Sequence, residues 1–128
     1  MARILVIDDN DSFRSLLETM LTVMGHEVTT AGDGLEGANK YRAHPTDLIL
    51  TDIMMPHSGL ATIRVLKEQY PGLQVIAMSG GGAHRLDYAK SVGAHSTLNK
   101  PFSPDALAAA IAEALTSNSG QSPVEPKA

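Results

Sequence analysis

Residues 47–56 read Asp-Leu-Ile-Leu-Thr-Asp-Ile-Met-Met-Pro. Leu48-Ile49-Leu50 is an unbroken apolar run, with no polar residue alternating into it, so both faces of the segment must be covered. That pattern predicts a strand from Asp47 to Thr51 in the interior of a parallel sheet. A parallel strand needs partners of its own kind, joined by helical crossovers. Asp52 then stands at the carboxyl end of the strand, ahead of a turn that reaches Pro56.

Upstream, Ile4-Leu5-Val6-Ile7 is a second continuous apolar run, followed by Asp8-Asp9. Phe13, Leu16, Leu17, Met20 and Met24 follow helical spacing, and Gly25 sits where that helix ends. Val28 to Ala31 is strand-like, and Leu35 to Arg42 helical. Downstream, Ser58 is placed to cap a helix running to about Tyr70, stopped by Pro71-Gly72. Leu73 to Met78 reads as a fourth strand, His84 to Val92 as a helix, and His95 to Leu98 as a fifth strand. Ser103-Pro104 opens an Ala-rich helix ending near Leu115, with Pro104 at a tolerated first-turn position. Five strand–helix repeats predict an α/β single domain with a doubly wound, five-stranded parallel sheet. We place this domain at residues 1–116. Residues 117–128 turn polar and rich in Ser and Pro, as expected of a flexible C-terminal tail or linker.

In open α/β sheets the site lies outside the carboxyl ends of the strands. There the sequence puts Asp8 and Asp9 after strand one, Asp52 after strand three, Ser79 after strand four and Lys100 after strand five. Three clustered carboxylates repel one another, and so take up protons or bind a cation. An oxygen-only set without Cys or paired His suits a hard metal, and Mg2+ fits best because it leaves water and phosphate positions open. A carboxylate beside a metal, a lysine and a serine is equipped for phosphoryl transfer to an acyl oxygen. Lys100 is expected to act when phosphate is present and to matter less for the resting fold.

Composition narrows the alternatives. With 128 residues and 43% hydrophobic side chains, one compact core is affordable and two are not. The absence of Cys removes disulfides, thiolate metal sites and cysteine nucleophiles together. No apolar run reaches the ~18 residues of a membrane span, and the start is too short for a signal peptide, so a cytoplasmic location is expected. The net charge is −4 with no Lys/Arg cluster, which argues against a nucleic-acid surface on this domain.

Four pieces in order carry a resemblance: Ile4 to Asp9, Asp47 to Pro56, Ser79-Gly80 and Lys100-Pro101-Phe102. Together they resemble the CheY-like receiver domain of response regulators in two-component systems, over about Ala2 to Thr116. The resemblance implies a flavodoxin-like topology and a phosphoacceptor at Asp52, charged by a sensor histidine kinase or phosphotransfer protein. It implies Mg2+ held by Asp8, Asp9 and Asp52, helped by the Met54 backbone carbonyl. Ser79 becomes the switch hydroxyl, Lys100 the phosphate-sensing cation, and the Lys100–Pro101 peptide cis. Output is then altered protein–protein binding to a downstream target. The domain catalyses only its own phosphorylation and dephosphorylation, and is not an enzyme in the ordinary sense. The pattern is broken at one position: three residues before the lysine, where similar receivers carry Tyr or Phe, stands Thr97.

Competing readings fare worse. A haloacid-dehalogenase-like phosphatase places an acid two residues after the nucleophile, and here that residue is Met54. A flavin binder needs aromatic stacking partners, and the chain has three Tyr, two Phe and no Trp. Gly80-Gly81-Gly82 lacks the Lys and Ser/Thr of a phosphate-binding loop and reads as a mobile loop. The five histidines share no ligand spacing, although His57 lies close enough to Asp52 to border the site.

Overall fold

The computed structural model describes residues 2–53, 59–80 and 94–117. In chain order these form β1 (Arg3–Ile7), α1 (Asp11–Val23), β2 (Glu27–Ala31), α2 (Gly34–Ala43), β3 (Leu48–Asp52), α3 (Gly59–Gln69), β4 (Gln74–Ser79), β5 (Ser96–Asn99) and α4 (Pro104–Ser117). The five strands make one sheet in the order β2-β1-β3-β4-β5, and every pairing is parallel. The fold is the doubly wound, flavodoxin-like sheet that the alternation of apolar runs predicted.

Side chains alternate across each strand, and the two faces bury separate cores. Ile4, Val6, Leu48, Leu50, Ile76 and Met78 pack with Leu17 and Leu21 of α1 and with Leu107, Ile111 and Ala114 of α4. Leu5, Ile7, Ile49, Val75 and Ala77 face the other way, against Ala38 and Tyr41 of α2 and Ile63 and Leu66 of α3. The central strands are therefore apolar at consecutive positions because successive residues serve different cores. β2 lies at an edge and buries only Ala31 fully.

Two glycines are fixed by backbone geometry. Gly25 has φ +95°, a region that costs L-residues steric strain. It ends α1 with paired hydrogen bonds, Gly25 N–H to the Thr22 carbonyl at 3.0 Å and His26 N–H to the Leu21 carbonyl at 3.0 Å. Gly37 lets α2 lie directly on β1, since a Cβ there would stand 2.8 Å from Cγ1 of Ile7.

The structure corrects the expected face of α1. Leu16 is 52% exposed, and Leu21 takes its place in the core beside Leu17. Four residues per turn-and-a-bit align Leu17 with Leu21, and Leu16 is rotated about 100° off that line. The expected cap at Ser58, the expected helix from His84 to Val92 and the tail from residue 118 lie outside the described residues.

Candidate functional site

The sheet order reverses direction at β1: the chain leaves β1 for β2 on one side, while β3 lies on the other. Such a switch point opens a crevice at the carboxyl ends of the two strands. Asp8 follows β1 there, and Asp52 is the last residue of β3. Carboxylate oxygens of Asp8, Asp9 and Asp52 all lie within 4.8 Å of one another. Asp8 is 0% and Asp52 6% exposed, whereas Asp9 faces solvent.

Asp8 is tied down at every polar atom. Its N–H donates to the Ala31 carbonyl at 3.1 Å, and its carbonyl accepts from Nη1 of Arg14 at 2.7 Å. Oδ1 accepts from the Asn10 N–H at 2.9 Å, and Oδ2 from Nζ of Lys100 at 2.7 Å. Asn10 in turn caps α1, its Oδ1 accepting from the Phe13 N–H at 2.9 Å. The first turn of α1 and the first carboxylate of the site thus form one hydrogen-bonded unit.

Lys100 reaches the acids from the far side of the sheet. Its N–H donates to the Ser79 carbonyl at 2.9 Å, which binds the loop after β5 to the end of β4. The Lys100–Pro101 peptide is cis. Nζ then contacts Oδ2 of both Asp8 and Asp52, at 2.7 and 3.0 Å. Burial opposes the charge on Lys100, but the hydrogen bonds and negative charges of Asp8 and Asp52 outweigh it and hold its pKa above the ordinary lysine value. The lysine therefore has a resting role that the sequence did not disclose: it is the countercharge of two buried carboxylates before any phosphate arrives.

Ser79 is fully buried as the last residue of β4, beside Asn99 of β5. Thr97, the departure from the family pattern, is half-buried in β5 opposite Ala77. Met54, His57, Gly81 and Gly82, all named from the sequence, lie outside the described residues. Arg14 and Asn10 escaped the sequence reading, and Phe13 reads there only as part of a helix face and not as a site residue. Their only signal was position: the first turn of a helix that starts two residues after Asp9 must point back at the strand ends.

Among the described residues, three carboxylates meet one ammonium, while the Arg14 guanidinium is paired with Asp11, which leaves the pocket with excess negative charge. Two of the acids are buried, and Asp9 is open to water. Such a set of hard oxygens, with a solvated side, fits a divalent cation that keeps much of its hydration. The acidic triad is the kind of metal site receiver domains possess.

A sequence model of the family described as "Response regulator receiver domain" matches residues 4–112. The chain belongs to the response regulator receiver domain family. A "Probable transcriptional regulator ycf27" of Cyanophora paradoxa is 36% identical over 116 residues, covering 88% of this chain and 48% of that protein. Among solved structures, a response regulator receiver domain protein from Clostridium thermocellum superposes with a TM-score of 0.86 at 32% identity. That match covers 91% of this chain and 96% of the other. A CheY-like receiver domain protein from Methanospirillum hungatei gives a TM-score of 0.87 at 27% identity, with 92% and 96% covered. The chain spans about half the length of the ycf27 relatives that it matches. As a receiver domain it is a phosphoacceptor of two-component signalling, with the acidic pocket Asp8, Asp9 and Asp52 and with Lys100, and not a classical enzyme. No described helix is long and apolar enough to cross a membrane.

Proposed function

We propose that Asp52 is the residue phosphorylated, with a histidine kinase or phosphotransfer protein as donor. The observation that carries this reading is the double contact of Lys100 with Asp8 and Asp52 at the end of the central strand. It keeps the Asp52 carboxylate beside a fixed positive charge. An Asp52 oxygen attacks phosphorus, the bond from phosphorus to the donor's imidazole nitrogen breaks, and its electron pair stays on that nitrogen. Lys100 is placed to neutralise charge on the phosphoryl oxygens, and the Ser79 hydroxyl to hold one of them in the product.

Mg2+ would be held by Asp9 and Asp52, by the Met54 carbonyl, and by Asp8 mainly through water. Both Asp8 oxygens already accept protein hydrogen bonds, which supports an indirect role. When bound, the ion supplies charge neutralisation between the attacking carboxylate and the phosphoryl oxygens. We assign the receiver to residues 1–116, the remainder to a tail or linker, and the location to the cytoplasm. Its output is altered binding of a protein target. The ycf27 relatives are named as probable transcriptional regulators, and a role in that process is part of the proposal.

A Tyr or Phe at position 97 would move a large ring on activation, and burying one is worth on the order of 2 kcal/mol. Thr97 offers only a methyl and a hydroxyl. The readout is therefore expected in residues 80–82 and the segment after them, where glycines permit backbone change at little steric cost. Hydrogen exchange with and without the phosphate mimic beryllofluoride tests this. The largest change is expected between residues 79 and 92, with little around Thr97. A dominant change in β5 contradicts the proposed readout, and no change anywhere points to a phosphate reservoir or relay intermediate instead.

A further inference from the structure

We propose that Phe13 is a positioning residue for Lys100, holding its ammonium at the two buried carboxylates through a cation–π contact. Nζ of Lys100 lies 4.2 Å from the centroid of the Phe13 ring. Within about 6 Å, a ring face attracts a cation through its quadrupole, and the contact strengthens as water is removed. Here little water remains, for the Lys100 side chain is only 20% exposed. The same ammonium donates to Asp8 and Asp52. Two carboxylates and one ring therefore share its hydrogens and its charge.

Phe13 is itself held from two directions. Its N–H donates to Oδ1 of Asn10, whose own N–H donates to Oδ1 of Asp8. The ring meets that of Phe102 edge to face, with centroids 5.7 Å apart and planes at 80°. Phe102 follows Lys100 by two residues, so the aromatic pair joins α1 to the loop that carries the lysine. Asp8, Asn10, Phe13 and Lys100 close a ring of contacts, with Phe102 braced against Phe13. Both phenylalanines also pack on the core shared by α1 and α4.

A free lysine loses rotamer freedom whenever its tip is fixed. The Phe13 face offsets part of that loss in the resting protein, so the ammonium is in place when the phosphoryl group arrives. An aliphatic side chain of similar volume fills the same space but presents no negative face to the cation.

This inference rests on the assignment of Lys100 as the cation that meets the phosphoryl group. Its test compares Phe13→Leu and Phe13→Tyr, each in the parent and in Lys100→Met. The rate constant of phosphorylation by acetyl phosphate is measured at saturating Mg2+. In parallel, NMR reads the ring-current shift of the Lys100 ε-methylene protons. Phe13→Leu is expected to slow phosphorylation by about three- to tenfold, in line with a partly desolvated cation–π contact, and to abolish the upfield shift. Phe13→Tyr keeps a π face, and so keeps both the rate and the shift near the parent values. In the Lys100→Met background, Phe13→Leu should add nothing further. A parental rate in Phe13→Leu, an equal deficit in Phe13→Tyr, or a loss that persists without Lys100 overturns the proposal. A parental rate in Lys100→Met alone overturns the underlying assignment of Lys100, a separate and distinguishable failure.

Discussion

Lys100→Met is expected to unfold at a lower temperature than the parent in EDTA, with Mg2+ restoring much of the difference. In the metal-free parent, Nζ of Lys100 contacts both Asp8 and Asp52, at 2.7 and 3.0 Å. Removing one partner of a buried pair strands the other charge, at a cost of about 3–5 kcal/mol in fully buried cases. Lys100 keeps some exposure and the pocket opens toward Asp9, so roughly 2 kcal/mol is the expected loss here. For a domain of this size that lowers Tm by roughly 8 °C. A cation in the acidic pocket replaces the missing charge, and its binding stabilises the folded state by mass action, about 2.7 kcal/mol at a hundredfold excess over Kd. The sign of the pH effect follows from the same pair. The folded-state pKa of Lys100 lies above the unfolded value, so its contribution is complete below the ordinary lysine pKa and is lost only as pH rises through the folded one. The variant has no such alkaline loss. Thermal unfolding in EDTA and in Mg2+ checks this, and equal Tm values for parent and variant in EDTA contradict the resting role of the lysine.

Asp9→Ala is expected to show the opposite pairing of effects, a lower metal affinity with a higher metal-free stability. Asp9 is the acid with open access to solvent, and its neighbours are already engaged with protein donors. Loss of a carboxylate proposed to bind the ion directly is expected to weaken Mg2+ by at least the roughly tenfold seen when mere outer partners are removed. In the absence of metal, the same carboxylate repels two others within 4.8 Å, a contact worth about 1 kcal/mol at high effective dielectric. Titration with Mg2+, followed by unfolding in EDTA, separates the two effects. A variant that binds Mg2+ as tightly as the parent places the ion elsewhere.

The fold was legible because its central strands are buried on both faces, and such strands read as unbroken apolar runs. Ile4 to Ile7 and Leu48 to Leu50 are of this kind, and Asp8 and Asp52 follow from where those runs stop. Helix faces were harder. In α1 the neighbours Leu16 and Leu17 are equivalent as letters, and only the position of the sheet decides that Leu17 is buried with Leu21. The difference between Asp8, fully buried, and Asp9, exposed, is likewise a matter of which side of the chain the crevice lies on. Contacts across long stretches of sequence left no local trace. Lys100 meets Asp8 across 92 residues, and nothing around Phe13 distinguishes a ring that faces a cation from one that fills a core. The motif placed the lysine at the site, but its resting partners were visible only in three dimensions.

That Asp52 receives the phosphoryl group is tested most directly by mapping the adduct. The protein is treated with acetyl phosphate and Mg2+, and the labile acyl phosphate is located by mass spectrometry in the parent and in Asp52→Ala. One phosphoryl group is expected, on Asp52, with none in the variant and none in the parent when EDTA replaces Mg2+. An acyl phosphate that persists in Asp52→Ala contradicts the assignment.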